Sequence, residues 1–62
     1  MTKEEIRNVL APMLRGDFVL ISGIRVYFTA KGMFVIFAKY SEIPSKTPSL
    51  KEAVEYVYKR IS

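Results

Sequence analysis

Apolar and polar positions along this chain follow two different periods. Ile6, Val9, Leu10, Met13 and Leu14 recur at helical spacing, and so do Leu50, Ala53, Val54, Val57 and Ile61, flanked by Tyr58. Between these stripes, Ile24 to Ala30 alternates residue by residue, the period of a half-covered strand. The spacing therefore predicts a helix, a strand region and a second helix. Thr2-Lys3-Glu4-Glu5 fits a capping box, with Met1 and Ile6 at the positions of a hydrophobic staple. Pro12 lacks an amide donor, so the first helix is expected to end or kink near Ala11, with Gly16 as its stop.

The strand region divides at two glycines. Ser22-Gly23 and Lys31-Gly32 read as two-residue turns separating strands over Asp17 to Ile21, Ile24 to Ala30 and Met33 to Tyr40. Those turns set Val19 opposite Val26 and Ile21 opposite Ile24, then Ala30 opposite Met33, Phe28 opposite Val35 and Val26 opposite Phe37. One face then collects Val19, Ile21, Ile24, Val26, Phe28, Met33, Val35 and Phe37, all apolar. The other collects Phe18, Leu20, Arg25, Tyr27, Thr29, Phe34, Ile36, Ala38 and Tyr40. Ser41 to Pro48 reads as a loop. The second helix opens either with Ser49 as cap and Glu52 as its box partner, or with Thr47 as cap and Pro48 at the first helical position. The expected fold is α+β in the order α-β-β-β-α, a three-stranded antiparallel meander with both helices packed on its apolar face. It forms one domain over residues 1–62.

Composition adds a reason to look at the second face. Half of the 62 residues are apolar, more than a chain of this size hides easily, since such a domain buries only about 60% of its unfolded surface. The surplus points to a homodimer through the second sheet face, at Phe18, Leu20, Tyr27, Phe34, Ile36 and Tyr40. The chain has no cysteine and no histidine, which removes disulfides, thiol chemistry and imidazole bases or ligands. Glu4, Glu5, Glu52 and Glu55 fall on solvent faces of helices, and Asp17 and Glu42 flank the sheet, with no pairing suited to acid–base work or a metal. No enzyme activity, cofactor, metal or small-molecule substrate is expected. The longest unbroken apolar run, Met33 to Ala38, is far short of a membrane span, and the opening residues form no signal peptide. A cytoplasmic protein without a membrane partner is expected. The absence of Gln, Cys, His and Trp, with Asn8 the only Asn, matches compositions found in hyperthermophiles.

Charge supplies the candidate partner. Ten basic against six acidic residues give a net charge of +4. On the second face, Phe18, Tyr27, Phe34 and Tyr40 stand among Arg25, Lys31 and Lys39, and Lys46 and Lys51 flank the start of the second helix. Rings that stack on bases, interleaved with cations that meet phosphates, suit a nucleic acid. Lys59 and Arg60 also complement the dipole of the second helix. The expected function is a small, non-catalytic, self-associating domain that binds DNA or RNA. The alternative is a protein-interaction or inhibitor module without nucleic-acid binding.

The order α-β-β-β-α resembles the double-stranded-RNA-binding domain in topology. Ser49-Leu50-Lys51-Glu52-Ala53 carries one lysine where that family has a lysine run, and Ser22-Gly23 stands in place of its histidine-bearing loop. Ile24 to Ile61 also resembles the three-strand-plus-helix arm-binding modules of phage-type integrases, whose helix reads as Lys51-Glu52-Ala53 does. The resemblances imply an outline and a nucleic-acid partner, and assign no family.

Overall fold

The computed structural model describes residues 1–37 and 43–61. The elements in order are α1 (Lys3–Leu10), β1 (Phe18–Ile21), β2 (Ile24–Phe28), β3 (Phe34–Phe37), β4 (Ser45–Thr47) and α2 (Leu50–Ile61). The class is α+β, but the sheet has four antiparallel strands in the order β1-β2-β3-β4. The segment expected as a loop thus contains a strand. Ser45-Lys46-Thr47 is short, polar and set between Pro44 and Pro48, so it carries none of the apolar alternation that marks a strand. It is held instead by pairing with β3, Phe34 to Thr47 and Ile36 to Ser45. Ala38, Lys39, Tyr40, Ser41 and Glu42 lie outside the described residues.

α1 starts as the sequence predicts. The Thr2 N–H donates to Glu5 Oε1 at 2.8 Å and the Glu5 N–H donates to Thr2 Oγ1 at 3.1 Å. α1 ends at Leu10 with Ala11 as its C-cap, one residue before Pro12. Leu14 therefore leaves the helical stripe and is exposed. Gly16 is not the helix stop. It follows Arg15 in a turn in which the Asp17 N–H donates to the Leu14 carbonyl at 3.0 Å, and leads the chain into β1.

The first hairpin keeps the expected register, Val19 opposite Val26 and Ile21 opposite Ile24. Its turn residues Ser22 and Gly23 both have positive φ, +49° and +84°, the mirror-image turn that suits twisted strands. The second hairpin differs by one residue. Its strands pair Phe28 with Phe34, Val26 with Ile36, Tyr27 with Val35 and Arg25 with Phe37. The loop is Ala30-Lys31-Gly32, closed by the Thr29 N–H on the Met33 carbonyl at 2.8 Å and the Met33 N–H on Thr29 Oγ1 at 3.1 Å. Only Gly32 in this loop takes positive φ, +84°, so Lys31 avoids the left-handed conformation that a two-residue turn would impose. Lysine would lose roughly 1–2 kcal/mol there.

This slip exchanges the faces of β3. Phe34 and Ile36, expected on the second face, are 6% and 0% exposed and belong to the core. Val35 and Phe37, expected in the core, point to the other side. The core joins Ile6 and Leu10 of α1, Ile21, Ile24, Val26, Phe34 and Ile36 of the sheet, and Ala53, Val54 and Val57 of α2. Phe28 and Phe34 add a tilted ring pair with centroids 4.5 Å apart. α2 lies across β2, β3 and β4, while α1 packs mainly on α2.

The cap of α2 is a relay. Ser49 Oγ accepts from the Glu52 N–H at 3.3 Å, as a capping box requires. The return bond passes through buried Thr47. The Ser49 N–H donates to Thr47 Oγ1 at 3.1 Å, and Thr47 Oγ1 donates to Glu52 Oε2 at 3.0 Å. One hydroxyl thus ties β4 to the helix start.

Two outcomes follow for stability. Thr47→Val leaves the Ser49 amide and the Glu52 carboxylate without their partner, and urea unfolding should show a loss of about 1–3 kcal/mol. At α1, the Thr2 backbone and hydroxyl hold the Glu5 carboxyl below its ordinary value. The folded value is depressed, so this stabilisation is present above the unfolded value and fades as pH falls through the folded one. Acid titration followed by NMR should fray α1 first in that window, and Glu5→Gln should flatten this pH dependence.

Candidate functional site

With α2 on one side of the sheet, no helix among the described residues covers the other side, the open face. Alternation along the strands sends to it Phe18 and Leu20 from β1, Arg25 and Tyr27 from β2, Val35 and Phe37 from β3, and Lys46 from β4. The register sorts them into two cross-strand rows. The first runs Phe18, Tyr27, Val35, Lys46, and the second runs Leu20, Arg25, Phe37. Neighbours in a row stand about 4.8 Å apart, and the rows about 7 Å apart, by strand geometry.

The two rows form a shallow groove of about 510 Å³ lined by Phe18, Leu20, Arg25, Tyr27 and Phe37. Phe18 is 66% exposed, Leu20 67%, Phe37 41% and Tyr27 37%. Val35, flanked across the strands by Tyr27 and Lys46, is buried although it points to this side. The described strand residues of this face include two cations, Arg25 and Lys46, and no carboxylate. Glu4, Glu5, Glu52 and Glu55 sit on the helices, and Asp17 precedes β1, where its Oδ2 accepts from the Leu14 N–H at 3.1 Å.

The sequence-predicted residues divide accordingly. Phe18, Leu20, Tyr27 and Arg25 come together on the open face. Phe34 and Ile36 do not, because the three-residue loop turns them into the core. Phe37 takes their place and was missed for the same reason. The signal for it was Gly32, which can close a three-residue loop as well as a two-residue one. Lys46 joins the face through β4. Lys31 is exposed in the loop at one end of the sheet. Tyr40 and Lys39 lie outside the described residues. Lys51 is in the helical layer, on the far side of the sheet from Arg25.

Around Lys51 there is a smaller depression of about 210 Å³, at the seam of α1 and α2, lined by Lys3, Glu4, Arg7, Lys51, Val54 and Glu55. Its charges are mixed. Lys3 Nζ lies 2.9 Å from Glu55 Oε1 and 5.1 Å from the centre of the Tyr58 ring. Glu55, spaced along its helix for Lys59, thus reaches across to α1 instead. Arg60 is also committed internally. Its guanidinium donates to the Tyr56 carbonyl at 3.0 Å and to Ser45 Oγ at 2.6 Å, and lies over the Tyr56 ring. It ties the end of α2 to β4.

Among the described residues, no group of three or more acidic, histidine or cysteine side chains could hold a metal ion, and no helix is long and apolar enough to cross a membrane. No protein-family model, curated protein or solved structure matches this chain.

The placement of β3 can be read from two adjacent residues. Ile36→Ala should cost about 2–5 kcal/mol in urea unfolding, because it opens a cavity in the core. Phe37→Ala should stay within about 0.5 kcal/mol, as an exposed substitution does. The reverse order would assign Phe37 to the core and overturn the face.

Proposed function

We propose that this protein binds single-stranded nucleic acid on the open face of its sheet, as a small non-catalytic accessory domain. The observation that carries the reading is the set of three exposed rings, Phe18, Tyr27 and Phe37, around Arg25, on a face with no carboxylate among its described strand residues. Each ring can take a base, and stacking of this kind contributes about 1–3 kcal/mol per base. Arg25, in the middle of the second row, and Lys46, at the end of the first, suit a phosphate backbone running across the strands. The flat, open groove fits unpaired bases better than a duplex, whose bases are already stacked.

The same geometry weighs against a dimer made by placing two open faces together. The apolar centre expected for such a contact, Phe34 and Ile36, is in the core. Each copy would instead bury Arg25 against a face that offers it no carboxylate from the described strands, and an unpaired buried charge is costly. A purely protein-binding role would need a partner that brings the acid.

Fluorescence anisotropy with labelled single-stranded DNA, single-stranded RNA and duplex of equal length tests the reading. Single strands should bind more tightly than duplex. Tyr27→Ala and Phe37→Ala should each weaken binding by about 1–3 kcal/mol. Lys51→Ala should leave it unchanged. If Arg25 and Lys46 carry the phosphate contacts, log K should fall with log salt at a slope near about −1.4. No binding at low salt, or binding that ignores both ring substitutions, would remove the nucleic-acid role and leave the protein-interaction reading.

A further inference from the structure

The sheet has two edges, and they are built differently. β4 is blunted in the ways that keep edges from pairing. It is three residues long, lies between Pro44 and Pro48, carries Lys46, and has its Ser45 hydroxyl engaged by Arg60. β1 has neither the prolines nor the charge, and its one such device is a bulge at its start. From Phe18 to Gly23 the chain is Phe-Val-Leu-Ile-Ser-Gly, with no charge and no proline. At its start, Gly16 and Asp17 both bond to Phe28, through the Gly16 N–H at 2.7 Å and the Asp17 carbonyl at 2.9 Å. That bulge limits the regular edge to Phe18–Ile21.

The hydrogen-bond phase of the first hairpin fixes which groups on this edge are free. Ile21 and Ile24 flank a two-residue turn and exchange both backbone bonds, and Asp17 bonds to Phe28. The bonded positions of β1 are therefore Asp17, Val19 and Ile21. Phe18 and Leu20, between them, direct their N–H and C=O groups away from β2. These two residues are also the most exposed large apolar residues of the open face, at 66% and 67%.

We propose that two copies of this chain join along β1, antiparallel, with the two-fold axis at Val19, to form one continuous eight-stranded sheet. In this register Phe18 and Leu20 of one copy exchange backbone bonds with Leu20 and Phe18 of the partner subunit. All four bonds use strand residues only, and both open faces stay on the same side. Moving the axis to Phe18 or Leu20 would draw the bulged Gly16 or the turn residue Ser22 into the ladder. Shifting by one residue would set bonded positions against free ones. The uncharged edge lets two copies, each of net charge +4, approach without like charges in the ladder. Leu20 then stands beside the partner's Phe18, so apolar surface that each monomer leaves in water is shared. The open face is lengthened and remains uncovered. The dimer does not depend on a nucleic acid.

Sedimentation or light scattering from micromolar to millimolar protein, without nucleic acid, tests this alongside amide exchange. The mass should rise from 7.1 kDa toward twice that value with concentration. The Phe18 and Leu20 amides should become protected in the same range, while those of Val19 and Ile21 are protected throughout. Leu20→Pro removes an outward amide that β2 does not use, and should give a folded monomer. Phe37→Asp, on the open face, should leave the dimer intact. A constant mass of 7.1 kDa would overturn the proposal. So would a doubled mass with unprotected Phe18 and Leu20 amides, or a dimer broken by Phe37→Asp and kept by Leu20→Pro. Should Leu20→Pro fail to fold, the wild-type exchange pattern alone decides.

Discussion

Much of this structure depends on the loop between β2 and β3. Six consecutive residues from Met33 to Ala38 are apolar, so hydrophobicity alone cannot say which side of β3 faces the helices. Backbone conformation makes the choice. Lys31-Gly32 as a two-residue turn would place a lysine in the left-handed region. Ala30-Lys31-Gly32 places only the glycine there, at φ +84°, and adds the Thr29 hydroxyl as an acceptor for the Met33 amide. A preference of roughly 1–2 kcal/mol at one residue thus puts Phe34 and Ile36 in the core and Phe37 in solvent.

The first hairpin meets the same choice and resolves it the other way. A three-residue loop Ile21-Ser22-Gly23 would also end on a glycine, but Ser22 accepts φ +49°, so the two-residue turn forms and Ile21 stays opposite Ile24 in the core. This explains why one register was legible in the sequence and the other was not. Local, redundant signals are legible in the sequence: the Thr2–Glu5 box, the break before Pro12, and the stripe of Ala53, Val54 and Val57. Signals that rest on a single residue's loop position, or on long-range pairing without apolar alternation, are not. β4 belongs to the second kind, since Ser45-Lys46-Thr47 becomes a strand only when β3 is beside it.

The candidate site inherits this pattern. Phe18, Leu20, Arg25 and Tyr27 share a face because of the first hairpin, and were grouped from the sequence. Phe37 and Lys46 reach the same face through the second loop and β4. Phe34 and Ile36 give way on this face to Val35 and Phe37, so β3 still supplies one ring, now directly opposite Arg25. The basic residues separate as well. Arg60 braces β4, Lys3 and Lys51 border the helix seam, and Arg25 and Lys46 stand on the open face. The edge of β1 is a separate resource, because its free groups lie in the plane of the sheet while the groove faces out of it.

The most direct test of this account is the set of cross-strand Hα–Hα contacts in a nuclear Overhauser spectrum of the protein. Non-hydrogen-bonded pairs bring opposing Cα atoms to about 4.5 Å, close enough for strong Hα–Hα signals. The three-residue loop predicts such signals for Phe28 with Phe34 and for Val26 with Ile36. Strong signals linking Thr29 to Phe34 and Tyr27 to Ile36 instead, the non-hydrogen-bonded pairs of a two-residue Lys31-Gly32 turn, would return Phe37 to the core and contradict the open face described above.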